Sequence, residues 1–208
     1  MAVIVCFGDS ITYGFDPATG GRFGPRDRWP DVMARLLGPE HTVISEALPG
    51  RTTVFDSPYA PARSGLALLA PLLESHAPVD LVILMLGTND LQAPLELSAR
   101  HSASGLWTLI DVVHRSNAAP GATKPQCLVL APPPIREAKG FMGVFFAGRD
   151  EQSEELPVHF RAICDAAGCH FLAAGDVVSP SEVDGVHLDA AAQRALGEAV
   201  ADVVRPLL

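Results

Sequence analysis

Basic residues are scarce in this chain: 15 Lys and Arg stand against 24 Asp and Glu, for a formal net charge of −9 over 208 residues. A phosphate backbone needs a basic surface, so the composition excludes a nucleic-acid partner, and the lack of a polybasic run excludes an anionic membrane surface. Long hydrophobic runs are also missing. No stretch approaches the length of a membrane span, and the positive mean hydropathy of +0.23 therefore points to a buried parallel sheet. Only four cysteines occur, Cys6, Cys127, Cys164 and Cys169. Cys6 and Cys127 fall in strand-like runs, and Cys164-x4-Cys169 lacks a second metal-type pair, so reduced core thiols are expected rather than a disulfide framework or a zinc site. Met1 leads almost directly into the first apolar run, with no room for a signal peptide, and the expectation is a cytoplasmic protein. No internal repeat or low-complexity tract is found. The length suits one domain, residues 1–208, with a substantial core.

What is present is a regular alternation of short apolar runs and helical patterns. Val3-Ile4-Val5-Cys6 reads as a buried strand that delivers Phe7-Gly8-Asp9-Ser10 at its C-terminal end. A helix capped by Asp27 and opened by Trp29-Pro30 is expected to run to Leu37 and to stop at Gly38-Pro39. His41–Ser45 forms a second strand, followed by a long Pro-rich loop through Pro49-Gly50-Arg51 and Asp56–Pro61. Leu66–His76 is helical, with Pro71 expected to kink or shorten it. Asp80–Leu86 is apolar on both faces, as a central parallel strand must be, and ends in Gly87-Thr88-Asn89-Asp90. A helix over Glu96–Arg115, a turn over Asn117–Pro125, a strand over Gln126–Leu130, a helix over 153–167, a strand over Cys169–Leu172 and a last helix capped by Asp189 complete the series. This alternation predicts an α/β fold with helices on both faces of a parallel sheet.

Residues 131–150 are the least regular segment. Prolines 132–134 precede Phe141-Met142-Gly143-Val144-Phe145-Phe146, and so many large apolar residues wall a pocket, cover a subunit interface or cap one end of the core. The sequence leaves all three readings open.

Small polar clusters follow the apolar strands, and open parallel sheets gather such clusters at one edge. The residue types suit acyl transfer. Ser10 supplies a hydroxyl, His187 can accept and return its proton, and Asp184, three residues before, can orient the imidazole. Ser10 N–H, Gly50 N–H and the Asn89 side chain are the candidate donors to an oxyanion. Ser10 alone reads more readily as a helix N-cap than as a nucleophile, and Asp9 and Asp90 read as turn-shaping carboxylates. Arg51 can orient a substrate oxygen or form an interface salt bridge. The remaining histidines mostly fall on helix or strand surfaces. Asp184 and His187 could be two metal ligands, but no third His or Cys stands near them, so no metal is expected.

Taken together, Gly8-Asp9-Ser10, Gly50, Gly87-x-Asn89 and Asp184-x-x-His187 resemble the four sequence blocks of the SGNH (GDSL) hydrolase superfamily. The resemblance implies a three-layer, flavodoxin-like five-stranded parallel sheet in the order 2-1-3-4-5. It implies an esterase with Ser10, Asp184 and His187 catalytic, an oxyanion hole of Ser10, Gly50 and Asn89, and no cofactor. Cys6–Ser10, Arg51–Thr53, Asp80–Asp90, Pro132–Pro134 and Val183–His187 are similar to the arylesterase/acyltransferase branch, with Tyr13-Gly14-Phe15 standing where its best-known acyltransferase has tryptophans. That branch implies short-acyl, acetyl-type esters including aryl esters, acyl transfer to alcohols, and a homo-oligomer built from dimers up to an octamer. The expected substrate-binding residues are Asp9, Tyr13, Arg51, Thr88, Pro133, Phe141, Phe145 and Val186. A deacetylase of acetylated saccharides and a non-enzymatic ester- or sugar-binding protein are the alternatives.

Overall fold

A computed structural model describes residues 1–58, 60–116 and 123–208. Five parallel strands, β1 (Val3–Gly8), β2 (Thr42–Ala47), β3 (Leu81–Met85), β4 (Gln126–Ala131) and β5 (His170–Ala173), form one sheet in the order β2-β1-β3-β4-β5. This is the expected doubly wound topology, and strand ends move by only one or two residues. Most of the expected turn over Asn117–Pro125, and Tyr59 of the Pro-rich loop, lie outside the described residues.

Because successive side chains in a strand point to opposite faces, the sheet separates two cores. Val5 and Phe7 of β1, Val82 and Leu84 of β3 and Val129 of β4 pack on one face under α3 (Gly65–His76), α4 (Ala99–Arg115) and α6 (Asp150–Ala167). Ile4 and Cys6, Leu81, Ile83 and Met85, and Leu128 and Leu130 face the other way, against α2 (Trp29–Leu37) and α7 (Ala190–Val204). The single-turn helix α1 (Ser10–Tyr13) follows β1 directly.

Several local expectations are corrected. Pro71 does not shorten α3, which runs on to His76: it is exposed, while Leu69 and Leu73 around it are fully buried, so packing outweighs the lost hydrogen bond. Asp27 does not cap α2; its carboxylate pairs with Arg194 of α7 at 2.5 Å, and Arg28 occupies the cap position. Helix α4 starts at Ala99 rather than Glu96, because Glu96 takes a left-handed conformation (φ +53°). Helix α6 starts three residues early, at Asp150, and runs through Pro157 with Leu156 and Phe160 buried on either side of it. Segment 131–150 contains a short helix, α5 (Gly140–Phe146).

The packing of α7 matters for the site. Gln193 is fully buried; its Nε2 donates to Ile11 O at 2.8 Å and its Oε1 accepts from Trp29 N at 3.0 Å. One side chain thus joins α7 to both α1 and α2, fixing the turn that carries Ser10. Among the described residues no helix is long and apolar enough to cross a membrane.

Candidate active site

The C-terminal ends of β1 and β3, the Pro49–Gly50 turn after β2, and the loop before α7 converge on one pocket of about 340 Å³. Ser10 is the first residue of α1 and not its cap. The cap is Asp9, whose Oδ1 accepts Ile11 N–H at 2.9 Å, so the capping reading of Ser10 fails and its hydroxyl is left to face the pocket. Ser10 Oγ lies 2.9 Å from His187 Nε2, and His187 Nδ1 lies 2.6 Å from Asp184 Oδ2. All three residues are buried.

The acid is held by its own loop. Asp184 Oδ1 accepts the backbone N–H groups of Val186 and His187, both at 2.9 Å. Burial acts to raise the Asp184 carboxyl, but the His187 hydrogen bond and these backbone donors outweigh it and hold it below the usual carboxylate range. The loop is in turn fixed by the segment after β4: Arg136 N donates to Gly185 O at 2.8 Å and Lys139 N to Asp184 O at 3.0 Å. That close approach requires glycine at 185, which has φ +74° and where a Cβ would sit 1.9 Å from Arg136 O.

Candidate oxyanion donors surround the serine. Leu48-Pro49-Gly50-Arg51 forms a turn closed by Arg51 N to Leu48 O at 3.0 Å, with Gly50 at φ +79°. Proline followed by a left-handed glycine marks a type II turn, which fixes the orientation of the Gly50 N–H at the pocket wall. Asn89 is locked from both ends. Its Oδ1 accepts Gln92 Nε2 at 3.0 Å, and its Nδ2 donates at 3.2 Å to Asp9 Oδ2 and to Arg51 O. Asp9 lines the pocket beneath this amide, and burial pushes its carboxyl up to about 6. Asp90 shapes more than its own turn: it accepts Thr53 N at 2.8 Å and Thr53 Oγ1 at 2.7 Å, tying β3 to the Pro-rich loop, and burial raises it also to about 6.

Of the expected substrate-binding residues, Asp9, Thr88, Phe141, Phe145 and Val186 line the pocket, and Tyr13, Arg51 and Pro133 do not. Tyr13 turns away and stacks under the Arg22 guanidinium at 4.1 Å. Arg51 is buried over the Phe7 ring at 4.0 Å, donating to Gly8 O at 2.9 Å and to Glu46 O, so it braces β1 against β2. Pro133 is buried against Gly175. Sequence reasoning missed Arg63 and Gln92 and noted Phe15 only through the resemblance. Phe15 lies 4.3 Å from the His187 ring, and Arg63 reaches back over Gly50. No residue-type pattern marked them, because their place depends on the path of loops. Segment 131–150 supplies pocket wall through Phe141, Met142, Phe145 and Phe146, with Phe141 and Phe145 edge to face at 5.0 Å. Among the described residues no group of three or more His, Cys, Asp or Glu could hold a metal ion.

A serine, an imidazole and a carboxylate in one hydrogen-bonded line at the C-terminal edge of a parallel sheet, with amide donors beside the serine, is the site of a serine-type acyl hydrolase. The family comparison agrees: residues 6–195 match the GDSL-like lipase/acylhydrolase family, and the chain belongs to it. It is a carboxylic ester hydrolase of the GDSL type. Over the full length of both chains it is similar to Est24, a carbohydrate acetylesterase from Sinorhizobium meliloti (36% identity, TM-score 0.95), and to the aryl esterase of M. smegmatis (38% identity, TM-score 0.95). A lipase/acylhydrolase from Enterococcus faecalis shares the fold at 20% identity, with a TM-score of 0.68 over 99% of this chain and 96% of that one. No curated protein matches the chain.

Proposed function

We propose that this enzyme cleaves short-acyl esters of small, apolar alcohols and phenols through an acyl-enzyme on Ser10. The observation that carries the reading is the line Ser10–His187–Asp184, at 2.9 and 2.6 Å, opening into a pocket walled by Phe15, Phe141, Phe145 and Val186. Ser10 Oγ attacks the ester carbonyl while His187 Nε2 takes its proton. Asp184 holds the Nδ1–H tautomer and stabilises the imidazolium that forms. The oxyanion lies among Ser10 N–H, Gly50 N–H and Asn89 Nδ2. The long 3.2 Å bonds from Asn89 to Asp9 and Arg51 keep the amide aimed while letting a charged oxygen take a share of one hydrogen. Protonated by His187, the alcohol leaves. Water, or a second alcohol in an acyl transfer, then takes its place and resolves the acyl-enzyme with His187 as base.

The stiff Pro49–Gly50 turn and the α5 aromatics favour a small acyl group. Acetyl esters of p-nitrophenol are expected to outpace octanoyl esters in kcat/KM, and the reverse order would overturn the acyl assignment. Incubation with an organophosphate followed by mass mapping tests the nucleophile: the adduct is expected on Ser10, and no adduct there overturns the mechanism.

A second reading, a deacetylase of acetylated saccharides, is favoured by the polar side chains of Arg63 and Gln92 in the pocket wall and by the similarity to a carbohydrate acetylesterase. Acetate release from peracetylated sugars faster than from p-nitrophenyl acetate would select it.

A further inference from the structure

At the opposite end of the sheet from Ser10 lies a thiol cluster that ester cleavage does not use. Leu128 of β4 pairs with His170 of β5, so one step back along the parallel register sets Cys127 beside Cys169. Neighbouring strands lie about 4.8 Å apart, inside the range of roughly 4.4–6.8 Å that a disulfide bridges between Cα atoms. Both residues belong to the same core face. On its other side Cys169 Sγ lies 3.7 Å from His114 Nε2. A surface pocket of about 180 Å³, lined by His114, Lys124, Cys127 and the two neighbours of Cys169 in sequence, Gly168 and His170, opens beside the pair. Cys169 itself is half-buried, whereas Cys6, Cys127 and Cys164 are buried.

We propose that Cys127 and Cys169 form a peroxide-reactive dithiol, in which Cys169 is the attacking sulfur and Cys127 the resolving one. Cys169 passes its proton to His114 Nε2, and the thiolate attacks one oxygen of hydrogen peroxide. The O–O bond breaks, Cys169 becomes a sulfenic acid, and the departing hydroxide takes the proton from His114 to give water. The Cys127 sulfur then attacks the Cys169 sulfur, its own proton leaves with the sulfenic oxygen as a second water, and a disulfide remains. Two thiols are thus oxidised for one peroxide reduced.

The electrostatics assign the roles. The neighbouring Cys127 thiol lowers Cys169 first, against its own desolvation, with help from Lys124. Cys127 is raised by its Cys169 neighbour and by burial, and Cys164 is raised by burial to about 12. A low-pKa, accessible thiolate is the one that meets peroxide, and a neighbouring thiol resolves it.

The test treats the intact protein with hydrogen peroxide, quenches it in denaturant with excess alkylating agent, and maps the digest by mass spectrometry. The expected result is a reducible peptide pair joining Cys127 to Cys169, with denatured free thiols falling from the four present in the reduced protein to two. In a Cys127→Ser variant the expected product is a dimedone adduct on Cys169. Full alkylation of both Cys127 and Cys169 after peroxide, or a link from Cys169 to Cys164 or to a second chain, would overturn the proposal.

Discussion

At the scale of single residues, the site depends on which side chains are freed and which are committed. Asp9 takes the cap because it, and not Ser10, is the residue that precedes the first helical position, where its carboxylate accepts Ile11 N–H. This leaves the serine hydroxyl for His187. Asn89 is held by Gln92, Asp9 and Arg51, so its amide is preorganised before any oxyanion develops. Asn89→Ala is expected to lower kcat on the order of 10²–10³-fold, the usual loss for one oxyanion donor, with a much smaller change in KM. Steady-state kinetics on p-nitrophenyl acetate measure the split. An unchanged kcat would remove Asn89 from the oxyanion hole.

At the scale of elements, short turns matter more than helices. Helix α1 has only four residues, too few to sum much of a dipole, so its contribution is a local N–H and a fixed serine. The Pro49–Gly50 turn supplies the second donor by conformation. A Cβ at Gly50 would only touch Arg63 at 3.6 Å, so space is available there and the positive φ is what demands glycine. Gly50→Ala is therefore expected to cost about 1–2 kcal/mol in denaturant unfolding, the usual price of a left-handed non-glycine residue. It should also lower kcat further than the stability loss explains, because relaxing the turn rotates the N–H away. Helix α5 teaches the converse. Phe141 and Phe145 stand four apart on one face, but Gly140, Gly143 and the prolines before them masked the helical pattern in sequence. Only docking beside Val186 and Ile135 settles that helix as a pocket wall.

At the scale of the whole molecule, two buried carboxylates join the loops that meet over the sheet edge. Asp9 and Asp90 are both raised to about 6 by burial, above their ordinary value of 3.8. Their unfolded forms thus release protons at lower pH than the folded forms do. They favour the folded state least above pH 6, and stability from them falls as pH rises from about 4 to 6. Asp184, held low, acts oppositely, since its contribution is complete above its unfolded value and is lost only in stronger acid. Urea midpoints across pH 4–7 are expected to show a shallower fall between pH 4 and 6 in Asp90→Asn than in the unsubstituted protein. An equally steep fall would mean that Asp90 is already ionised in the native state at pH 4.

The sequence by itself determined the sheet and the line of chemistry. Strands buried on both faces must be apolar throughout, and a nucleophile, a base and their donors must be particular residue types after particular strands; both constraints leave a one-dimensional trace. Which side chains meet the substrate was decided only in three dimensions. Arg51 looked like the pocket arginine, yet it turns inward to brace β1 and β2, and Arg63, further along the same loop, faces the pocket instead. Tyr13 turned out and Phe15 turned in. These outcomes depend on the paths of Pro- and Gly-rich loops, where backbone conformation and distant packing set side-chain direction and no periodicity records it.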